Sequence, residues 1–166
     1  MSTLFASPAS AATTAFRAAA EHGDAAAVAA LLAPDVVFHS PLTARVRFEG
    51  RDEVAALHAD IFAVLEGLET SEPLELGDTR SFSFRARVRG VELHAIVLAR
   101  FNDQGQIAEL TIFGRPLPAL ATLFTLLPPR VSARRRGRLT GAMVALLTRP
   151  LAFALHTADR MAPRFL

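Results

Sequence analysis

Cysteine, lysine, tryptophan and tyrosine are all absent from this sequence of 166 residues. Without cysteine, the chain cannot form disulfides, thiolate zinc sites or a thiol nucleophile. Without lysine, all 18 basic side chains are arginines, and this raises the sequence pI to about 10.8 although the net charge is only +2. The high pI is therefore no evidence for a nucleic-acid partner.

Motifs for metals, nucleotides and membranes are also missing. The five histidines lack a metal-binding spacing and no glycine-rich loop follows a strand pattern, so we expect neither a metal nor a cofactor. Met1 to Ala12 lacks the positive start of a secretory signal. The longest apolar run, Leu139 to Leu155, is interrupted by Arg149 and Pro150 and falls short of a membrane span. The sequence therefore predicts a cytoplasmic protein.

The charges divide the chain into two parts. Hydrophobic residues make up 51% of it, enough for one sizeable core. Residues 116–166 carry eight arginines and one aspartate, a net charge of +7, whereas residues 1–115 carry ten arginines and fifteen carboxylates, a net charge of −5. We expect one domain over 1–115 and a basic, apolar, helical extension over 116–166.

Capping residues predict helices in the first third of the chain. Ser7 and Pro8 form a helix start, and Gly23 ends that helix. Asp24 caps a second helix that reaches Leu32 and is ended by Pro34. A third helix follows Gly50, with its apolar side chains at a 3.6-residue spacing: Val54, Leu57, Ile61 and Leu65.

Alternating side chains predict strands in the rest of the domain. Short strands are expected over 35–40 and 43–48, and a final strand over 106–114. Between them, a hairpin turns at Arg89 and Gly90. In that register every pair on one face is apolar: Val88 with Val91, Ala86 with Leu93, Phe84 with Ala95 and Phe82 with Val97. On the other face, Arg87 opposes Glu92 and Arg85 opposes His94.

The order and spacing of these elements resemble the nuclear transport factor 2-like superfamily, and more narrowly the SnoaL-like proteins. The residues that carry the resemblance are Gly23 and Asp24, Phe38 to Pro41, Gly50 and Arg51, Arg100 to Asn102, and Gly105 to Phe113. The resemblance implies an α+β fold, a cone-shaped curved antiparallel sheet backed by N-terminal helices around a pocket. It also implies a homodimer packed through the outer sheet face. Enzymes and binding proteins share this fold, so the fold alone assigns no function.

The residues of the best-understood enzymes of this superfamily are not matched. At the positions that the resemblance assigns to proton transfer in ketosteroid isomerases, this chain has Phe16, Ser40 and Val97. Phenyl and isopropyl groups cannot donate a hydrogen bond to an oxyanion, and an unassisted hydroxyl is a poor base. For limonene-epoxide hydrolases, the resemblance places Arg80 near their arginine, but Phe82 and Ile112 stand at the positions of the two carboxylates.

His58, His39 and Ser40 are the remaining polar candidates for the pocket. His58 lies at the edge of the apolar stripe of the third helix, where it is either a general base or a core histidine. The resemblance places His39 and Ser40 at the pocket mouth, although a serine before proline also bonds nearby backbone. A triad of Ser40, His58 and an acid lacks a nucleophile-elbow motif, so no catalytic residue is assigned.

The outer sheet face and the extension suggest partners. Four apolar residues point outward by parity, which favours a homodimer through that face: Ile96, Leu98, Ile107 and Phe113. The arginines beside them indicate a solvated face.

The extension is predicted as a helix over 117–127 ended by Pro128 and Pro129, an arginine cluster, and an apolar segment over 139–155. It either covers the pocket or the dimer, or contacts anionic lipid as a peripheral element; the lack of interleaved aromatics argues against nucleic acid.

Three functional hypotheses follow. The first is a protein that binds a small, largely apolar molecule, without assignable catalysis. The second is a SnoaL-type isomerase or hydrolase that uses His58 or His39 as base. The third is a membrane-surface or adaptor protein acting through the extension. The predicted ligand-binding residues are Phe16, Phe38, Ser40, His58, Phe62, Phe82, Phe84, Val97 and Ile112.

Overall fold

Five α-helices and a seven-stranded sheet make up the computed structural model, which describes residues 7–164. The expectation about a signal segment in residues 1–12 falls partly outside this range. The helices are α1 (Pro8–His22), α2 (Ala25–Leu31), α3 (Arg51–Phe62), α4 (Leu117–Arg136) and α5 (Arg138–Met161). The predicted α+β class, with a helical extension, is confirmed.

The strands form one curved sheet that does not close into a barrel. They are β1 (Leu32–His39), β2 (Phe48–Glu49), β3 (Glu66–Thr70), β4 (Leu74–Leu76), β5 (Thr79–Val88), β6 (Val91–Phe101) and β7 (Ile107–Arg115). Their order is β2-β1-β7-β6-β5-β3, with β4 pairing to β5. The sheet is mixed, because β1 runs parallel to β7. The expectation of an antiparallel sheet is wrong at this pair. No hairpin joins β1 to β7, so no tight turn requires these two strands to run in opposite directions.

The predicted hairpin is confirmed in full. The Cα partners of β5 and β6 include Val88 with Val91, Phe84 with Ala95 and Phe82 with Val97. The turn lies at Arg89 and Gly90, which both have a positive φ. The apolar members of these pairs are buried on the inner face, apart from the half-buried Val91 at the turn. This apolar face packs against the helices and forms part of the core.

Ile107 corrects the predicted outer face. It is only 1% exposed and belongs to the core, whereas Ile96, Leu98 and Phe113 are exposed as expected. The register of β6 and β7 shifts between the pairs Arg100–Glu109 and Phe101–Ile107, so β7 has one extra residue there. That bulge reverses the inward and outward alternation at the start of β7.

Local side-chain bonds override the predicted strand over 43–48. The Ser40 Oγ accepts a hydrogen bond from the Leu42 N–H, and the Thr43 Oγ1 accepts one from the Arg45 N–H. Such bonds hold the segment in turns, and only Phe48–Glu49 remains a strand. The short strands β3 and β4 were not predicted. Also, α2 ends at Leu31, and Pro34 lies inside β1.

The two C-terminal helices are longer than predicted. α4 continues through Pro128 and Pro129 to Arg136, so the expected stop at these prolines is wrong. Likewise, α5 is continuous over 24 residues, including Arg149 and Pro150, and by length and composition alone it is apolar enough to cross a membrane. Proline weakens a helix without always ending it, and here the two helices pack along each other.

α4 is part of the core of the domain. Its side chains Leu123, Leu127 and Val131 are each no more than 7% exposed and join the same cluster as the sheet residues. At its end, Arg134 and Arg135 both donate hydrogen bonds to the Glu53 carboxylate on α3. Burial raises the pKa of Glu53, but these bonds outweigh it and leave that pKa below its ordinary value. The extension therefore closes the domain on the side opposite to the sheet.

The turn between β6 and β7 contacts the start of α1, which gives a matched pair of substitutions. Gly105 has φ +74°, and a Cβ there would lie 2.5 Å from the Pro8 Cβ. Gly90 has φ +76°, and nothing lies within 4 Å of its Cβ position. Gly90→Ala should cost about 1 kcal/mol of unfolding free energy from backbone strain alone. Gly105→Ala should cost about 3 kcal/mol, since steric overlap is added. Urea unfolding measures both, and equal costs would contradict the contact.

Candidate functional site

His58 lies among phenylalanine rings, deep between α3 and the sheet. Its ring centroid is 5.7 Å from those of Phe16, Phe38 and Phe62. The side chain is 3% exposed, and its Nδ1 is 2.8 Å from the Val54 carbonyl oxygen, one helical turn earlier. Since a carbonyl only accepts, Nδ1 carries the proton and Nε2 has the lone pair.

The surroundings keep His58 neutral. Burial lowers its pKa to about 4, against a small opposing effect of the Val54 hydrogen bond. Within residues 7–164, the imidazole has no hydrogen bond to a carboxylate that could orient it or stabilise its charged form. A base with so low a pKa accepts protons poorly near neutral pH. The geometry therefore favours a core histidine over a general base.

A small apolar cavity lies beside this aromatic cluster, between the sheet and α4. Its volume is about 50 Å³. Its walls include Phe38, Phe84, Leu93, Ile112, Leu120, Leu123 and Leu127. Ser40 borders the rim, so four of the predicted site residues meet here: Phe38, Ser40, Phe84 and Ile112. The lining is almost free of polar groups, and it suits an apolar occupant.

The other five predicted site residues are packed into the interior next to the cavity. Phe16, Phe82 and Val97 belong to the core cluster, together with the half-buried Phe62, and His58 lies among them. Their place in ligand binding stays a prediction. The residues that the sequence analysis missed are Leu120, Leu123 and Leu127 of α4. The apolar segment 117–127 signalled a covering helix, but its periodicity could not say which cavity it covers.

A groove of about 280 Å³ adjoins the cavity. It runs between the segment 40–48 and the helices α4 and α5, and it shares four lining residues with the cavity: Ser40, Leu42, Phe48 and Leu127. Arg135 also lines the groove, and its guanidinium carbon lies 4.7 Å above the centre of the Phe48 ring. The groove therefore adjoins the cavity, with mostly apolar walls and two arginines, Arg135 and Arg136, in its lining.

Ser40 and His39 take different places. The Ser40 hydroxyl forms the local turn bond to Leu42 that the sequence suggested, at the rim of the cavity. His39 lies on the outer face of the sheet, where its Nε2 is 2.8 Å from the Glu109 Oε1. The expectation that His39 lies at the pocket mouth is wrong, because alternation along β1 turns Phe38 inward and His39 outward.

The contacts of Arg80 hold the fold together. It is 5% exposed, and its guanidinium donates hydrogen bonds to the Gly77 and Thr79 carbonyl oxygens and to the Ser7 hydroxyl, which caps α1. Its Nε lies 3.2 Å from a Glu75 carboxylate oxygen. Arg80 thus ties β4 and β5 to the start of α1, away from the residues that line the cavity.

A third hollow, of about 620 Å³, opens on the outer sheet face. Its walls are mixed in character and include Glu69, Arg85, His94, Ile96, Phe113 and Arg115. In the part of the chain that the structure describes, no group of three His, Asp or Glu side chains could hold a metal ion. The enclosed apolar cavity under α4 is the best candidate for a binding site.

Comparisons with known proteins agree with the fold. Residues 13–110 match the family model of the SnoaL-like domain. A steroid delta-isomerase from Pseudomonas aeruginosa superposes with a TM-score of 0.71 at 26% identity, over 81% of this chain and 98% of that one. An uncharacterized protein with a cystatin-like fold from Silicibacter pomeroyi gives 0.71 at 23% identity, over 78% and 91% of the two chains.

A third solved structure has a similar fold. An NTF2-like protein of unknown function from Mesorhizobium loti gives a TM-score of 0.60 at 21% identity, over 67% of this chain and 93% of that one. A search of the curated proteins finds no match.

The burial of His58 predicts a pH-dependent stability. In the unfolded chain the imidazole takes up a proton near pH 6.5, whereas in the folded protein it does so only near pH 4. Stability is therefore complete above pH 6.5 and falls as the pH drops towards 4. Between about pH 7.5 and about pH 5 the loss should be on the order of 2 kcal/mol, and His58→Leu should remove it.

Urea unfolding at the two pH values measures this effect. Val88→Ala is the matched control, because it removes buried volume at a residue that is 0% exposed without touching the imidazole. It should cost about 1–2 kcal/mol at both pH values and keep the wild-type pH dependence. The same pH dependence in His58→Leu and wild type would show that the histidine is not held neutral.

Proposed function

The chain belongs to the SnoaL-like domain family of the NTF2-like superfamily, and on that premise we propose that it binds a small, largely apolar molecule under α4. The observation that carries the proposal is the apolar cavity between Phe38, Phe84 and Leu123, with the groove beside it. Ligand cavities commonly have volumes of about 300–1,000 Å³. The cavity alone is smaller, so a ligand would occupy cavity and groove together and displace the α4 leucines outward.

The leucines of α4 make such a displacement feasible. Leu120, Leu123 and Leu127 form one side of the cavity, and Leu127 also lines the groove. They contribute apolar packing and no hydrogen bond, so an apolar ligand can replace the contacts that they lose. The steroid delta-isomerase among the structural neighbours makes a steroid the first ligand class to test.

Catalysis by His58 is the weaker alternative. Its low pKa and its packing among three phenyl rings oppose a role as general base. Phe16 and Val97, at two of the positions assigned to isomerase chemistry, carry no group that transfers a proton. We therefore propose binding without an assigned reaction.

Filling and enlarging the cavity should change ligand affinity in opposite directions. Nile red and progesterone serve as apolar probes, and titration gives their dissociation constants. Ile112→Phe fills the cavity and should raise the dissociation constant about fivefold, whereas Leu127→Ala enlarges it and should lower the constant. Native mass spectrometry of freshly purified protein tests for a retained small molecule.

Leu76→Phe is the control, because it enlarges an apolar side chain that is 83% exposed on β4. It should leave the affinity for both probes within about twofold of wild type. Misfolding cannot explain opposite shifts at the two cavity residues. Equal affinity of wild type, Ile112→Phe and Leu127→Ala would place the probe elsewhere and refute the cavity as the binding site.

We also propose a homodimer through the outer sheet face. Ile96 and Phe113 are neighbours across β6 and β7 and are 50% and 59% exposed, and apolar patches on a sheet face commonly meet a partner. Light scattering should give twice the chain mass of 17.8 kDa for wild type and the single mass for Phe113→Arg. Leu74→Arg on β4, an apolar position that is 76% exposed, should keep the dimer. A wild-type mass of 17.8 kDa at every concentration would contradict the proposal.

A further inference from the structure

α5 presents its large apolar side chains to solvent and its small ones to the protein. Gly141, Thr148 and Ala152 are its buried residues. A Cβ at Gly141 would lie 2.7 Å from both the Ala133 Cβ and the Pro129 carbonyl oxygen, so α5 is tightly packed on α4. The exposed residues include Leu139, Leu146, Leu147 and Phe153, at 85, 70, 73 and 76%. An amphipathic helix on the surface of a globular protein instead buries its large apolar side chains and exposes its polar ones.

The exposed residues form one continuous face. At 3.6 residues per turn, the side chains of Leu139, Met143, Leu146, Pro150 and Phe153 lie within about one third of the helix circumference. Contacts with α4 lie on the opposite side of α5. The face extends over most of the 24 residues of the helix, and it is the largest apolar feature of the described extension that the core does not use.

Arginines follow one edge of this face. Arg138, Arg149 and Arg160 recur at intervals of 11 residues, which is close to three full turns, so they form a row. All three are exposed, and within the described residues none of them forms an ion pair. Arg134 and Arg135 of α4 differ from them, because both are paired to Glu53 on α3. The carboxylate of Asp159 projects from the side nearer α4.

We propose that α5 lies on the surface of an anionic lipid membrane, with this apolar face inserted between the headgroups and the arginine row on lipid phosphates. A large apolar face with a cationic edge suits such an orientation, since long arginine side chains reach the headgroups while their stems stay in apolar surroundings. The proposal is independent of ligand binding in the cavity.

Lying on the membrane fits the structure better than crossing it. Length and composition would allow α5 to cross. However, crossing would place Arg149, in the middle of the helix, near the bilayer centre, where a charged side chain is strongly disfavoured. It would also separate α5 from α4, which belongs to the core. A helix that lies flat keeps both the α4 contacts and the hydration of the arginines.

Co-sedimentation of the full chain with vesicles tests the proposal. Vesicles of phosphatidylcholine are compared with vesicles that contain about one-third phosphatidylserine. We expect binding at least about tenfold tighter to the anionic vesicles, weakened by salt. Leu146→Ser combined with Phe153→Ser should reduce it about tenfold, and Arg149→Gln combined with Arg160→Gln should abolish the preference for phosphatidylserine.

Two control variants remove equivalent side chains elsewhere. Leu74→Ser with Leu76→Ser removes leucines that are 76% and 83% exposed on β4, and Arg45→Gln with Arg87→Gln removes exposed arginines of the domain. Both should bind vesicles as wild type does. Equal binding by all variants, or no binding to anionic vesicles, would overturn the proposal.

Two further readouts separate other occupants of the face. If Leu146→Ser with Phe153→Ser converts a dimer into a monomer in solution, the face covers a second copy of the chain and the proposal fails. Retention on vesicles after alkaline carbonate washing would indicate a crossing helix and would also overturn it. Release by the wash supports the surface orientation.

Discussion

The remaining structure depends on one interaction, the packing of the apolar inner face of the β5–β6 hairpin against the helices. From Phe82 to Val97 every inward-facing residue of this hairpin is apolar, and the pairs from Phe82–Val97 to Ala86–Leu93 present an unbroken apolar surface to the helices. Each large side chain buried there contributes about 1.5–3 kcal/mol. The charged residues of the other face cannot be buried at comparable cost, so the ribbon has only one stable orientation, and α1, α3 and α4 pack against the side that it offers.

Features that depend on neighbouring residues could be predicted from the sequence. The hairpin register follows from Gly90 and from the alternation on either side of it, and the caps at Ser7 and Asp24 locate the first two helices. Features decided by distant contacts could not. The parallel pairing of β1 with β7 joins residues that are far apart along the chain. The inward turn of Ile107 depends on a bulge that alternation does not show, and α4 continues through Pro128 as a helix whose side chains join the core.

The same distinction applies to the candidate site. Alternation in the hairpin correctly gave the inward direction of Phe84, but it could not distinguish core packing from a cavity wall. Phe16 and Phe82 fill space around His58, whereas the open volume lies one layer away, beneath Leu123 and Leu127. No pattern within α4 predicts where its apolar side docks, because docking also depends on the ion pairs between Arg134 and Glu53.

α4 follows the sheet and the first three helices along the chain, and this order affects how the protein folds during synthesis. Ala119, Leu123, Leu127 and Val131 of α4 complete a core whose other buried members all lie before residue 111. Because synthesis proceeds from the N-terminus, the sheet and the first three helices are made before α4. The apolar inner side of the nascent sheet and of the first three helices therefore stays exposed until α4 is made, and a chaperone can bind it during that time.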